Sequence, residues 1–479
     1  MPFSFKLKAR RSKTSHKGDH VATAIASASF PGDSRAELPG ELWRKILKYT
    51  VRLPGANAIE PDDPFSSSYI EEQFRAVDVD SALLADRKNL SLVNSSWRAA
   101  VREILAEYLI ITSERQLVLL VNMFEDDGSC RRRFWQLRRR PGDASNNLRP
   151  TGRLGEWTKR IDFRIPGPYS IDHALRLLQC TPNLEIYLNK NGPHHRPGRP
   201  LPASIIHGLI KYNANSLRRV EWAGVGESPK FLDLLHLCSQ LPYLITLRLV
   251  DIIASAPHEP IPDSHLILPN LKNLSLSIVP HPKSSRIFVT WDPLLQSLSR
   301  NPNIQLPALE RLDCDIFPQI SKQFFCLHGH KLRVLCTASR FAQSVLPEIL
   351  EHCPNLDTFV LCQGREIIKI PSYHPRLSRI CIYPNINVET NNSTKELHKL
   401  VLTPLDTLLL NLASMSTPCL VELRLMNIGV YDGLSQLSEW LSLWCCSWKV
   451  RGVKFLDRAG VSYQDVCNRD EHLLNLVRL

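Results

Sequence analysis

The chain has 479 residues and a formal charge of +12; 43% of its residues are hydrophobic and 22% are charged. That composition supports a large core, in about three domains or in fewer if one is a repeat array, and it excludes a collagen, a disordered chain and a disulfide miniprotein. Proline (34) outnumbers glycine (20), the reverse of average usage, which is about 5% against about 7%.

The charge is local. Residues 1–18 hold six Lys/Arg and no acid, and residues 131–160 hold ten Lys/Arg against Asp143 and Glu156, so the rest of the chain is near neutral. A nucleic-acid-binding fold spreads its basic stripe over folded elements, and no nucleic-acid partner is expected here. The two stretches read as a disordered basic tail (1–34) and a solvated linker. An import signal at 8–13, or docking of an acidic partner, is the sharper alternative. Residues 21–30 are too short and too rich in Ala and Ser for a secretory core. The thirteen cysteines are odd in number and irregularly spaced, as free thiols are in a reducing compartment. No run of about 18 apolar residues predicts a membrane span. The expectation is a cytoplasmic or nuclear protein with no membrane partner.

Residues 35–112 form a helical module. It opens E-L-P-G-E-L-W-R-K-I-L-K-Y, in which Leu38, Leu42, Ile46 and Leu47 recur at helical spacing and Pro39 and Glu41 suit a first turn. It closes N-L-S-L-V-N-S-S-W-R-A-A-V-R-E-I-L-A-E-Y-L-I, where Leu90, Val93, Trp97, Val101, Leu105 and Tyr108 make an apolar stripe on one or two helices. Between the halves lies an insert, about 52–87, that contains P-D-D-P-F-S-S-S.

The pairing of L-P-x-E-L-x-x-x-I-L with a later L-x-L-V-x-x-x-W-R resembles the F-box, in the form common in fungal (basidiomycete-type) families. An F-box is usually more compact, and the insert departs from it. The resemblance covers about 70 residues and implies the substrate-recognition subunit of an SCF-type cullin–RING ubiquitin ligase. It implies a Skp-type adaptor as partner, and through it a cullin, with adaptor contacts at Leu38, Pro39, Leu42, Ile46, Leu47, Leu90, Leu92, Val93 and Trp97. The bland alternative is that the stripe is simply the core of a helical domain.

After a helix and an Arg-rich linker (113–156), one signature recurs over 157–456. L-x-x-L-x-L is preceded seven times by a Pro, at Pro182, Pro242, Pro269, Pro307, Pro354, Pro375 and Pro418. The first leucines are Leu184, Leu217, Leu244, Leu271, Leu309, Leu332, Leu356, Leu377, Leu397 and Leu420. Each unit reads as a helix, a proline stop and a short strand with one buried face. The fold class is therefore α/β: a small α-helical F-box-like module followed by an irregular leucine-rich-repeat solenoid with parallel strands. Only Asn385 stands where regular repeats carry their asparagine ladder, so the repeats are irregular; a two-layer α/β domain is the alternative. Leu434, Leu437, Leu441, Trp444 and Trp448 predict a cap helix at 434–448, or a partner-binding helix, before a C-terminal tail (457–479).

Nothing in the motifs reads as catalysis, and the chain is expected to be non-catalytic, with no cofactor and no metal. His194-His195 and His328 with His330 lack ligand partners at the right spacing and read as loop histidines; Cys445-Cys446 read as core. The second and fourth residues after each first leucine point away from the helices. They place Val334, Cys336, Val360, Cys381 and Val401 as an apolar strip between charged flanks, the pattern of a recognition patch for a protein substrate. Coverage of the strip by another segment of the chain is the alternative. The reading overall is a ligase adaptor; the alternative is a repeat scaffold with no ligase role.

Overall fold

Each repeat begins with a turn. In Thr181-Pro182-Asn183-Leu184 the Leu184 amide donates to the Thr181 carbonyl, and the same closure recurs at Leu244, Leu271, Leu309, Leu356 and Leu420. Proline's fixed φ suits the second position of such a turn, where it has no hydrogen bond to lose. The prolines therefore do more than stop helices: they build the bend that sends the chain into a strand. The closing leucines, from Leu184 through Leu377 to Leu420, are all buried.

The computed structural model describes residues 40–51, 57–65, 89–90, 92–93, 95–137, 153–190, 199–223, 227–250, 266–276, 291–314, 320–338, 345–362, 367–384, 403–426 and 438–463. Its centre is a 12-stranded parallel sheet whose strand order follows chain order. The strands are β1 (Tyr108–Ile111), β2 (Arg160–Phe163), β3 (Ile186–Asn189), β4 (Arg219–Ala223), β5 (Thr246–Val250) and β6 (Asn273–Leu276). They continue as β7 (Arg311–Cys314), β8 (Val334–Ala338), β9 (Thr358–Cys362), β10 (Arg379–Tyr383), β11 (Glu422–Leu425) and β12 (Lys454–Leu456). Without a reversal of strand order, this is a solenoid-like stack of helix–strand units and not a doubly wound sheet.

The helices are α1 (Gly40–Val51), α2 (Ser95–Glu107), α3 (Glu114–Leu137), α4 (Ile171–Cys180), α5 (Ala203–Asn213) and α6 (Phe231–Ser239). After them come α7 (Asp292–Leu298), a one-turn helix Pro302–Gln305, α8 (Ile320–His328), α9 (Leu346–Glu351), α10 (Thr403–Ser414) and α11 (Ser438–Val450). One sheet face, carrying Val220, Leu247, Leu274, Leu312, Leu335 and Phe359, packs with the helices in a single continuous core.

The repeats are tied by side chains as well as by strands. The residue before the first leucine donates to a carbonyl of the preceding turn: Asn183 to Glu156 at 2.8 Å, Ser216 to Pro182 at 3.0 Å, Asn270 to Pro242 at 2.7 Å and Asn355 to His330 at 2.6 Å. The ladder expected of regular repeats is replaced by this one. Such bonds satisfy turn carbonyls that no strand partner reaches.

Several expectations are corrected. Y-L-I-I, assigned to the helical module, is the first strand, and α2 runs directly into it. Arg160, counted with the basic linker, is buried in β2. β10 pairs with β11 directly; the copy expected at Leu397 lies outside the described residues. The cap helix runs over Ser438–Val450, with Leu441, Cys445 and Trp448 buried and the Trp440 and Trp444 indoles both donating to Asp406; Leu434 and Leu437 lie outside the described residues. Cys446 is exposed, not core. The start of the expected C-terminal tail is packed: Asp457 is buried and accepts from Ala459 and Val461, and the Tyr463 ring packs at a tilt against Phe455. His328 is no loop residue: it ends α8, buried, and bonds the Leu298 carbonyl at 2.9 Å. The basic tail 1–34, His194 and His195 lie outside the described residues.

Candidate protein-binding surfaces

The face of the sheet away from the helices carries two side-chain rows. The first runs Arg219, Thr246, Asn273, Arg311, Val334, Thr358, Arg379, Glu422, and the second runs Glu221, Arg248, Ser275, Asp313, Cys336, Val360, Cys381, Arg424. Alternation within each strand puts these residues on one face, as the leucine spacing predicts.

Charge on this face is organised in pairs two residues apart on one strand. Arg160 meets Asp162 at 2.8 Å, Arg219 meets Glu221 at 3.0 Å, Arg311 meets Asp313 at 3.0 Å, and Arg424 meets Glu422 at 2.6 Å. Glu221, fully buried, also faces Lys190 and Arg248, each at 3.6 Å. Burial pushes its carboxyl up, but Lys190, Arg248 and Arg219 outweigh that and hold it well below the usual carboxylate range. Asp162 follows the same balance against Arg160, Lys190 and Arg164.

Residues 57–65, from the insert of the helical module, lie across this face as a strap. Arg219 Nη1 donates to the Ala58 carbonyl at 3.1 Å, Arg311 Nη1 to the Asp62 carbonyl at 2.9 Å, and Arg424 Nη1 to the Phe65 carbonyl at 2.6 Å. Lys272 meets Glu60, and Arg379 Nη1 meets Asp63 at 2.9 Å. The other carboxylate oxygen of Asp63 accepts the Phe65 amide at 3.0 Å, a local turn typical of aspartate. Burial raises the Asp63 carboxyl, yet the Phe65 amide and Arg379 bring it below its ordinary value. From Ala58 to Phe65 the backbone reaches at most about 25 Å, whereas β4 to β11 spans about 33 Å at sheet spacing. The strap therefore crosses the strands nearly straight, and long arginines reach in to meet its two ends.

Phe65 fills the apolar strip. It is 8% exposed and packs with Cys336, Val360, Cys381, Tyr383 and Met426, with Val334 at the edge. The guanidinium groups of Arg379 and Arg424 lie 4.8 and 5.0 Å from its ring centre. Of the strip expected from sequence, Val334, Cys336, Val360 and Cys381 come together, and the chain's own insert covers them; Val401 lies outside the described residues. Burial pushes the Cys381 thiol well above its ordinary value, which makes it a packing group and not a reactive one. Tyr383, Met426 and Phe65 are additions that the leucine spacing does not reach.

Five charged side chains, Arg219, Lys272, Arg311, Arg379 and Arg424, donate to the strap, Phe65 is buried, and two guanidinium groups lie against its ring. These contacts offset the cost of ordering nine residues, roughly 9–18 kcal/mol at about 1–2 kcal/mol each.

The second surface is on the helical module. Leu47, Val101 and Ile104 form its own small core, with Leu90, Trp97 and Leu105 against it and Trp97 packed at 5.4 Å on Trp43. Four of the residues that the F-box resemblance marks for an adaptor point outward: Leu42 is 43% exposed, Ile46 41%, Leu92 64% and Val93 57%. Leu47, Leu90 and Trp97 face inward instead. Leu38 and Pro39 lie outside the described residues.

Among the described residues no cluster of His, Cys, Asp and Glu is arranged to hold a metal ion, no disulfide joins two cysteines, and no helix is long and apolar enough to cross a membrane. A recess between β2, β3, α4 and α5 is lined by aliphatic and aromatic side chains such as Phe163, Leu177 and Tyr187. Fold and surfaces together define a solenoid-like α/β repeat protein with a strapped sheet face and a small helical module. Compared with known proteins, the chain matches no family model and no curated sequence.

Proposed function

We propose that this chain is the substrate-recognition adaptor of an SCF-type cullin–RING ubiquitin ligase, its helical module binding a Skp-type adaptor and its repeats holding a protein substrate. The observation that supports this reading is the exposure of Leu42, Ile46, Leu92 and Val93 on a module that already has its own core. Apolar residues of that size, gathered on one small module, mark an interaction site. The chain itself breaks and forms no bonds in this role. Its contribution is proximity: it holds an acceptor lysine near a charged conjugating enzyme. The setting is cytoplasmic or nuclear.

A repeat scaffold without a ligase role is the second reading. It is favoured by the way α2 runs into β1, with Ala106 in the main core and the Glu107 carbonyl accepting from Lys159, as a cap on the solenoid does. Affinity purification of the wild type beside Leu42→Asp/Ile46→Asp separates the two. The ligase reading expects a Skp-type adaptor and a cullin with the wild type alone; their absence from both samples contradicts it.

A further inference from the structure

The open sheet face meets its strap largely through groups that any polypeptide carries. Arg219, Arg311 and Arg424 each give Nη1 to a main-chain carbonyl, and each is oriented by a carboxylate two residues away on its own strand: Glu221, Asp313 and Glu422. The carboxylates that orient these donors belong to the sheet and not to the strap. Side-chain identity is read most closely at two positions. Asp63 is held by Arg379, and Phe65 sits in the socket of Cys336, Val360, Cys381, Tyr383 and Met426, beneath the guanidinium groups of Arg379 and Arg424.

We propose that this face binds an extended segment of another protein that carries an acidic residue two positions before a phenylalanine, and that residues 57–65 are a built-in occupant which such a partner displaces. A row of arginines aimed at carbonyls gives affinity for extended backbone, and the acid–aromatic pair gives selectivity. A tethered occupant acts at an effective concentration of about millimolar. A partner's apparent affinity is therefore lowered by the fraction of molecules whose strap is open. The inference rests on reading the repeat face as the protein-binding surface; it does not require the Skp-type adaptor.

The test is fluorescence anisotropy with a labelled synthetic peptide of residues 57–65, N-A-I-E-P-D-D-P-F, added to the purified full-length chain and to its Phe65→Ala variant. The variant loosens the strap and leaves the socket intact, so the peptide is expected to bind it at least tenfold more tightly than it binds the wild type. A peptide whose own phenylalanine is replaced by alanine is expected to bind neither; this control depends on no protein variant folding. Equal affinity for both chains, no binding of the parent peptide, or undiminished binding of the alanine peptide would overturn the proposal. So would a concentration-dependent dimer of the wild type, exchanging straps, that excess peptide fails to dissociate. Failure of the peptide with adaptor capture intact removes this inference alone. Loss of adaptor capture with peptide binding intact removes the ligase reading alone.

Discussion

Arg424 holds Phe65 twice, through a hydrogen bond of 2.6 Å from Nη1 to its carbonyl and through a guanidinium 5.0 Å from its ring centre. The two residues are separated by nearly the whole repeat domain in sequence. Their meeting joins the insert of the helical module to the far end of the sheet, so the two halves of the chain share one surface. A parallel sheet needs cover on both faces; helices supply one cover, and the strap supplies part of the other.

Replacing Phe65 by alanine tests how that cover is held. A buried Phe→Ala change costs about 3–5 kcal/mol where the surroundings cannot relax, and here the loss falls on the contacts that seat the strap. The strap should therefore lift before the sheet weakens. Hydrogen exchange of Phe65→Ala is expected to show lost protection at the residue-65 amide, which donates to Asp63 in the wild type, with β4 to β11 protected as in the wild type. A strap that stays protected would show that Phe65 is not its anchor.

Acid should release the strap through Asp63. Its carboxyl sits below its ordinary value in the folded chain, so its contribution is present above the unfolded aspartate value of about 4 and is lost as pH falls below it. Protection of the Phe65 amide, which donates to Asp63, corrected for intrinsic exchange, should fall as pH drops below about 4, and Asp63→Asn should remove that dependence. Retention of the acid step in Asp63→Asn would assign it to another group.

Glu221 is the buried anion that three cations share. Glu221→Gln keeps the shape but leaves Lys190, Arg219 and Arg248 facing one another. Breaking a buried ion pair on one side costs about 3–5 kcal/mol. The urea midpoint is expected to fall accordingly, and a midpoint within error of the wild type would mean that water reaches this cluster.

Gly329 stands three residues before Leu332, and a Cβ there would meet the His352 carbonyl oxygen at 2.5 Å. A Cβ on Gly155, three before Thr158, would meet the Cys180 carbonyl oxygen in the same way. Both glycines let the next helix end close against the turn. Gly329→Ala should cost about 1–3 kcal/mol through forced separation of adjacent repeats, read by chemical unfolding; no loss would mean that the turn yields freely.

The repeats were legible because their signal is local. Proline at the turn, leucine after it and alternation beyond it also gave the phase that puts Arg219, Arg311, Val360 and Cys381 on one face. The first two strands were hidden because Ala106 and Thr158 occupy the buried leucine position, and because Arg160 and Asp162 break the apolar run of β2. The carboxylates spaced two from arginines were visible in R-V-E, R-L-D and E-L-R, but they read as charged flanks; their pairing identifies them as oriented donors. In sequence the strap's P-D-D-P-F reads as an interruption of the helical module, since no local pattern reports a bond such as that from Arg379 to Asp63. His328 looked like a loop residue because its partner, the Leu298 carbonyl, lies in another repeat.

The central claim is that the helical module is a docking surface for a Skp-type adaptor. Isothermal titration of a purified Skp-type adaptor into the full-length chain, beside Leu42→Asp/Ile46→Asp, tests it most directly. The account predicts a one-to-one complex with the wild type and at least a hundredfold weaker binding by the variant, a loss of about 2.7 kcal/mol or more, at an unchanged melting temperature. No complex with the wild type, or equal affinity in the variant, would contradict it.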